Sequence, residues 1–334
     1  MSRTSVVTTL FLSALSFLPH TYAAANLVGN AGFEGAVAEG GMAEGWYFFK
    51  EAESAYTATI VDGGRKPGKC LKISGDGEWA GAACARRPRD RTKRCMGAGW
   101  LRVKGEGTAT VKFDYFDAEG AFLGSTFSSH VRDARDWQIC IVVSGAADYP
   151  AATQVSVAAV LNGSGTAWFD DFALIQRDPL ANEGATNLLV NGSIEAGAGS
   201  KPAEFFTSTN DGADVTMAWS RTKPHSGLRC LHIKGQADYA VFAHKNVAFD
   251  RGKTYVASGW ARIGGGRAAL KIDFFKDGQW LGEGDPVVFE GEQWGRQELT
   301  VDPTKYPEAN RIGVGVVFNG DGEAWFDDLM LEVK

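Results

Sequence analysis

The chain is written twice. NLVGNAGFEG from Asn26 returns as NLLVNGSIEAG from Asn187, and KCLKISG from Lys69 returns as RCLHIKG from Arg229. Gly99-Trp100 returns as Gly259-Trp260, VKFDYF from Val111 as LKIDFF from Leu270, and Tyr149-Pro150 as Tyr306-Pro307. LNGSGTAWFDD from Leu161 closes the first copy and FNGDGEAWFDD from Phe318 the second. The order never changes, and the spacing between copies drifts only from 161 residues at the opening motif to 157 at the closing one. A period this long and a copy number of two describe a tandem of homologous domains, not a solenoid or propeller built from short units. The expected division is 26–176 for the first domain, 177–186 (RDPLANEGAT) for a polar linker, and 187–334 for the second.

Within each copy the hydrophobic period is two. Val111, Phe113 and Tyr115 alternate with Lys112 and Asp114; Val155, Val157, Ala159 and Leu161 share a face. Trp137, Ile139, Ile141 and Val143 form a third such series. Alternation of this kind marks half-buried strands. With 42 glycines to supply turns and no long stretch of helical periodicity, each copy of about 150 residues reads as a β-sandwich. The fold class expected is all-β, two tandem β-sandwich domains.

Residues 1–25 read as a secretory signal peptide: Arg3, an apolar run from Val6 to Leu18, Pro19, then Ala23-Ala24-Ala25. The run is short for a membrane anchor. The expected location is therefore secreted, whether extracellular, periplasmic or on the cell surface, with no membrane insertion after cleavage. Five cysteines (Cys70, Cys84, Cys95, Cys140, Cys230) leave at least one unpaired, and Cys84 and Cys95, which flank CARRPRDRTKRC, are the candidate disulfide. The net charge of −6 argues against nucleic acid as a partner.

An opening N-L-[LV]-x-N-x-x-[FI]-E, a central G-x-x-C-L-x-I strand and a closing W-F-D-D-x-x-L together resemble the CenC-type carbohydrate-binding modules, the galactose-binding-like β-jelly rolls of families 4, 9 and 22. The resemblance covers both copies, so both sandwiches are expected to be jelly rolls. The second copy departs from it at Ser193 and Ile194, where the first has Gly32 and Phe33. The resemblance implies a structural Ca²⁺ in each domain, held by the Glu of the opening motif and the first Asp of the closing one: Glu34 with Asp170, and Glu195 with Asp327. Simple alternation along the closing strand points Asp170 the same way as Trp168, Phe172 and Leu174, a costly place for an unpartnered carboxylate. Hard oxygen ligands suit Ca²⁺; turn N–H donors would serve the same carboxylates without a metal.

Sugars present C–H faces that stack on aromatic rings, with a few polar groups to orient them. The resemblance implies that the aromatic after the central strand lines the ligand cleft. Those positions are Trp79 and Tyr239, with Phe122 and Trp280 as a second pair. Trp100, Trp260, Trp137 and Trp294 are expected in the core, with Arg102 and Arg262 in phase with the first two. RRPRDRTKR (86–94) is a basic loop private to the first copy, either solvated or touching an acidic glycan.

No His-Glu-x-x-His, Gly-x-Ser-x-Gly or phosphate loop occurs, and no catalytic domain is left over. The reading is a non-catalytic, exported protein that binds polysaccharide or oligosaccharide. The alternative is a structural, adhesion or accessory protein, one that serves other carbohydrate-active proteins without binding sugar itself.

Overall fold

The computed structural model describes residues 25–183 and 186–334, so the expected leader lies outside the described residues apart from Ala25. Among the described residues all regular structure is β. In the first domain one sheet runs in the order Trp46–Lys50, Trp79–Cys84, Gln154–Asn162, residues 108–116, Phe122–Phe127. The other runs Thr57–Asp62, Lys69–Gly75, Gly165–Arg177, residues 94–105, Val131–Ser144. One long strand, Arg94–Phe116, passes from one sheet to the other. The second domain repeats the plan. Phe205–Thr209, residues 240–244, residues 311–319, Arg267–Lys276 and Gln279–Glu283 make one sheet. Asp214–Ser220, residues 230–237, residues 322–333, Tyr255–Ile263 and Gly295–Thr300 make the other.

The period-two reading holds where a strand has one face toward its own core. Val111, Phe113, Tyr115, Val155, Val157, Ala159 and Leu161 are all buried in the first core. The period also holds around Ile141, but there both faces of the strand are covered. Cys140 and Val142 face the first core, while Ile141, with Ile139 and Val143 beside it, packs into the core of the second domain. Gly197 and Ala198 of the second domain pair with Ile141 and Cys140, so an otherwise open sheet edge is covered.

The described part of the expected linker, 177–183, is correspondingly no free tether. Asn182 is buried, and Glu183 accepts from the buried Arg94 at 2.7 Å and from Ser193 Oγ at 3.0 Å. The two sandwiches are docked against each other. Cys84 and Cys95 are not bonded: all five cysteines are buried free thiols.

Each opening motif is a clip. Asn26 donates to Phe172 O and accepts from Leu174 N, and Asn187 does the same with Leu329 O and Leu331 N, all at 3.0 Å. The turn that follows puts Phe33 and Ile194 in the left-handed region, at φ 61° and 63°, both fully buried. The departure at Ile194 therefore leaves the turn unchanged.

The closing motif is a strand with a bulge. Ala167 and Phe169 face the core, and so do Phe172 and Leu174, whereas Trp168 and Asp170 point the other way. Asp171, at φ 48°, is the extra residue that resets the phase; Asp328, at φ 50°, does the same in the second domain. This corrects the expectation of unbroken alternation, because a β-bulge shifts every later side chain to the opposite face.

Candidate functional site

The sheet that begins with Phe205–Thr209 turns its outer face to an open groove of about 440 Å³. Tyr239 and Trp280 line it together, although they lie on strands at different places in the sheet. Trp280 is 60% exposed, and Phe206 at the sheet edge adds a third ring. Val241 and Ala243 keep the floor low between them. The floor carries one buried cation. Lys271 Nζ lies 3.0 Å from Asp273 Oδ1, 3.1 Å from Glu283 Oε2 and 3.4 Å from the Tyr239 hydroxyl. Trp280 Nε1 donates to Asp273 Oδ1 at 3.1 Å, which fixes the indole over the groove. Burial, the largest single effect, would lower the pKa of Lys271, but its contacts with Asp273, the Tyr239 hydroxyl and Glu283 together outweigh it and the net shift is upward.

The strand registers give the matching positions in the first domain. Phe205 opposite His244 corresponds to Trp46 opposite Cys84, so Tyr239 corresponds to Trp79. Phe275 opposite Trp280 corresponds to Phe116 opposite Phe122. Both predicted pairs are thus equivalent in space, and Phe122 is also 60% exposed. Tyr47, Phe49, Trp79 and Phe127 complete an aromatic face around Lys112. Lys112 pairs with Asp114 at 2.7 Å, and Ser125 Oγ donates to the same carboxylate oxygen at 2.5 Å.

Sequence reasoning missed the Lys-x-Asp pair, the edge rings Tyr47 and Phe206, and Glu283. One signal was present. Lys112 and Asp114 recur as Lys271 and Asp273 on the polar phase of a strand whose other phase is core. The edge rings carried no such signal, since which edge adjoins the groove depends on sheet order.

The tryptophans expected in the core lie on or beside the opposite sheet and face outward, half-buried under basic side chains. Arg65 covers Trp100 at 4.5 Å, and Arg102 sits between Trp137 and Trp168 at 5.1 and 4.7 Å. In the second domain His225 stacks on Trp260 at 4.0 Å and approaches Trp294 at 5.4 Å. A guanidinium over an indole covers apolar surface while keeping its own charge hydrated, and a stacked imidazole covers the indole face in the same way.

The basic loop is mostly structural. Arg89 donates to the carbonyls of Gly145, Asp148 and Tyr149, and Arg94 is committed to Glu183. Arg86 alone reaches the groove face, 3.7 Å over Phe116.

The paired acids hold a loop in each domain. Asp170 accepts from Arg65 N at 2.8 Å and Asp171 N at 2.7 Å, while Glu34 accepts from Lys69 N at 2.9 Å. Asp171 pairs with the Arg65 side chain. In the second domain Asp327 accepts from His225 N, Ser226 N and Asp328 N, and Glu195 accepts from Leu228 N and Arg229 N. His225 Nδ1 lies 2.6 Å from Asp328, in the place Arg65 takes in the first domain.

The two copies differ in burial. Glu34 is exposed, whereas Glu195 and Asp327 are fully buried, and Glu195 Oε2 has no partner. Burial pushes Asp170 up to about 6, Glu195 to about 7, and Asp327 to about 9 with Asp328 adding to it. An orphaned carboxylate oxygen beside a second buried acid is a donor set that fits a hard cation. No cluster of three or more His, Cys, Asp or Glu side chains gathers there among the described residues, so backbone carbonyls would have to complete the shell.

No family model and no curated protein matches the chain. Among solved structures, the tandem family 22 carbohydrate-binding modules of Paenibacillus barcinonensis Xyn10C match at 12% identity and a TM-score of 0.41, over 95% of this chain and 99% of that one. The family 11 module of the cellulosomal cellulase Lic26A-Cel5E of Clostridium thermocellum matches at 14% and 0.35, over 48% of this chain and 98% of that one. A cyclase from Fischerella sp. TAU matches at 13% and 0.37, over 48% and 100%. At such identities the functional reading rests on this chain's own side chains.

Proposed function

We propose that this chain is an exported, non-catalytic protein that binds polysaccharide or oligosaccharide along the two aromatic groove faces. The observation that carries the reading is the groove of the second domain. There Tyr239, Trp280 and Phe206 offer flat rings at the rim of an open trough, and Lys271, Asp273 and Glu283 offer hydrogen-bond partners on its floor. An open groove that joins exposed rings to a few fixed polar groups suits a chain of hydroxyl-rich rings. Asp273 and Glu283 both serve one ammonium, which favours binding over hydrolysis, because a glycosidase needs one carboxyl held as an acid and the other as nucleophile or base. No helix among the described residues is long and apolar enough to cross a membrane.

We extend the reading to a structural Ca²⁺, with Glu195 and Asp327 holding it in the second domain and Glu34 and Asp170 in the first. The ion would neutralise the buried acids and stiffen the loops they already clamp.

Titration of soluble glycans against the intact protein tests the main reading. The double variants Tyr239→Ala/Trp280→Ala and Trp79→Ala/Phe122→Ala should each lose one binding event while keeping the wild-type circular dichroism spectrum. A protein that binds nothing on a broad glycan panel would favour the adhesion or accessory role instead.

A further inference from the structure

The aromatic faces of the two domains share a plan and differ in charge at the residue that the register pairs with the strand aspartate. The register that pairs Asp114 with Ser125 pairs Asp273 with Glu283. In the first domain Lys112 is therefore balanced by Asp114 alone, the third place being a hydroxyl. In the second, Lys271 faces two carboxylates. The surrounding cations do not cancel the difference. Arg86 lies over Phe116 beside the first groove, and Arg311, opposite Phe275 and bonded to Asn246, lies beside the second. The first face carries two cations against one anion, the second two against two.

We infer that this Ser125/Glu283 difference divides the ligands by charge: the first groove accepts carboxylate-bearing sugars such as uronic acid residues, and the second selects neutral ones. The inference rests on the carbohydrate-binding reading and deepens it. Physically, the second oxygen-bearing arm of Glu283 is half in solvent, its side chain being 48% exposed. It meets an incoming carboxylate as a like charge with only partial screening. In the first groove the same space holds Ser125, and the Lys112 ammonium rests over Phe49 and Phe127 at 5.3 and 5.7 Å with a single counter-ion. Specificity here comes as much from repulsion in one groove as from attraction in the other.

The experiment uses the full chain with one groove disabled at a time. The probes are matched pairs from a glycan panel: an oligouronide and the same oligosaccharide after carboxyl reduction. With the first groove disabled by Trp79→Ala/Phe122→Ala, the acidic probe should bind the second groove about 5- to 10-fold more weakly than its neutral partner, the size of a solvent-screened like-charge contact. Glu283→Ser in that background should remove the discrimination. With the second groove disabled by Tyr239→Ala/Trp280→Ala, the acidic probe should bind at least as tightly as the neutral one, and Ser125→Glu should reverse that order. Raising the salt concentration should shrink every acid-versus-neutral ratio toward one. If both grooves bind acidic and reduced probes equally and Glu283→Ser changes nothing, this inference falls and the binding function stands. If neither groove binds any probe, the binding function itself falls.

Discussion

Replacing Lys271 with methionine probes the polar floor of the second groove directly. Methionine keeps most of the apolar stem and deletes the ammonium from between Asp273 and Glu283. The Lys271 and Asp273 side chains are only 5% and 9% exposed. Removing one partner of such a pair strands a buried charge and costs about 3–5 kcal/mol. The low end applies here, about 3 kcal/mol, because Trp280 Nε1 still donates to Asp273 and Glu283 can turn to solvent. The double variant Lys271→Met/Asp273→Leu removes the stranded charge and should return to within about 1 kcal/mol of wild type. Urea denaturation followed by tryptophan fluorescence reads this as a shift in the midpoint of the second domain's transition. A single variant that loses less than about 1 kcal/mol, or a double variant that loses the sum of its parts, would refute a buried, coupled pair. The pH dependence has a definite sign. The folded-state pKa of Lys271 stands above the ordinary 10.5, so the pair's contribution is complete at pH 7. It disappears only as pH rises above that value, and Lys271→Met should remove the loss.

Excess Ca²⁺ should raise the melting temperature relative to EDTA, by about 2.7 kcal/mol of stability when the ion is 100-fold above its dissociation constant. Coincident melts would remove the ion, and Asp327→Asn should abolish the difference if Asp327 is a ligand. Gly227→Ala should destabilise by about 2 kcal/mol or more, since its φ is 62° and an added Cβ would overlap Glu195 Oε1. Gly212→Ala, at φ 78° with open space around it, should cost only about 1 kcal/mol, and equal losses would contradict the close Glu195 contact. Thiol titration without reductant should find five free cysteines in denaturant and almost none in the native protein. Burial pushes Cys140 and Cys230 up to about 12, so few thiolates are available to react. A count of three in denaturant would mean that one disulfide exists after all.

Much of this architecture was legible in the residues alone. A repeat kept in order from Asn26 to the closing motif of the second copy dictates two copies of one fold, and period-two alternation with frequent turns dictates strands. The aromatic pairs were legible too. Tyr239 and Trp280 stand where Trp79 and Phe122 stand in the other copy. A change of ring between copies does not by itself mark a surface, since Tyr115 and Phe274 also match and are both buried; only the fold shows which rings are exposed. What the sequence could not show depends on neighbours far along the chain. The bulge at Asp171 and Asp328 inverts the phase of the closing strand, because a left-handed residue is a local conformation selected by the loop that Arg65 or His225 occupies. Ile141 reads as core, but only the docking of the second domain decides whose core it enters. The same docking geometry lays Arg94 against Glu183 near Glu195, so equivalent acids end up exposed in one copy and buried in the other. Charge in the grooves follows the same logic: Lys271 and Asp273 share one phase of a single strand, but only the sheet register sets Glu283 beside them. Alternation is a property of one strand and survives translation into sequence; register, bulges and domain contacts are agreements between strands, and only the folded chain contains them.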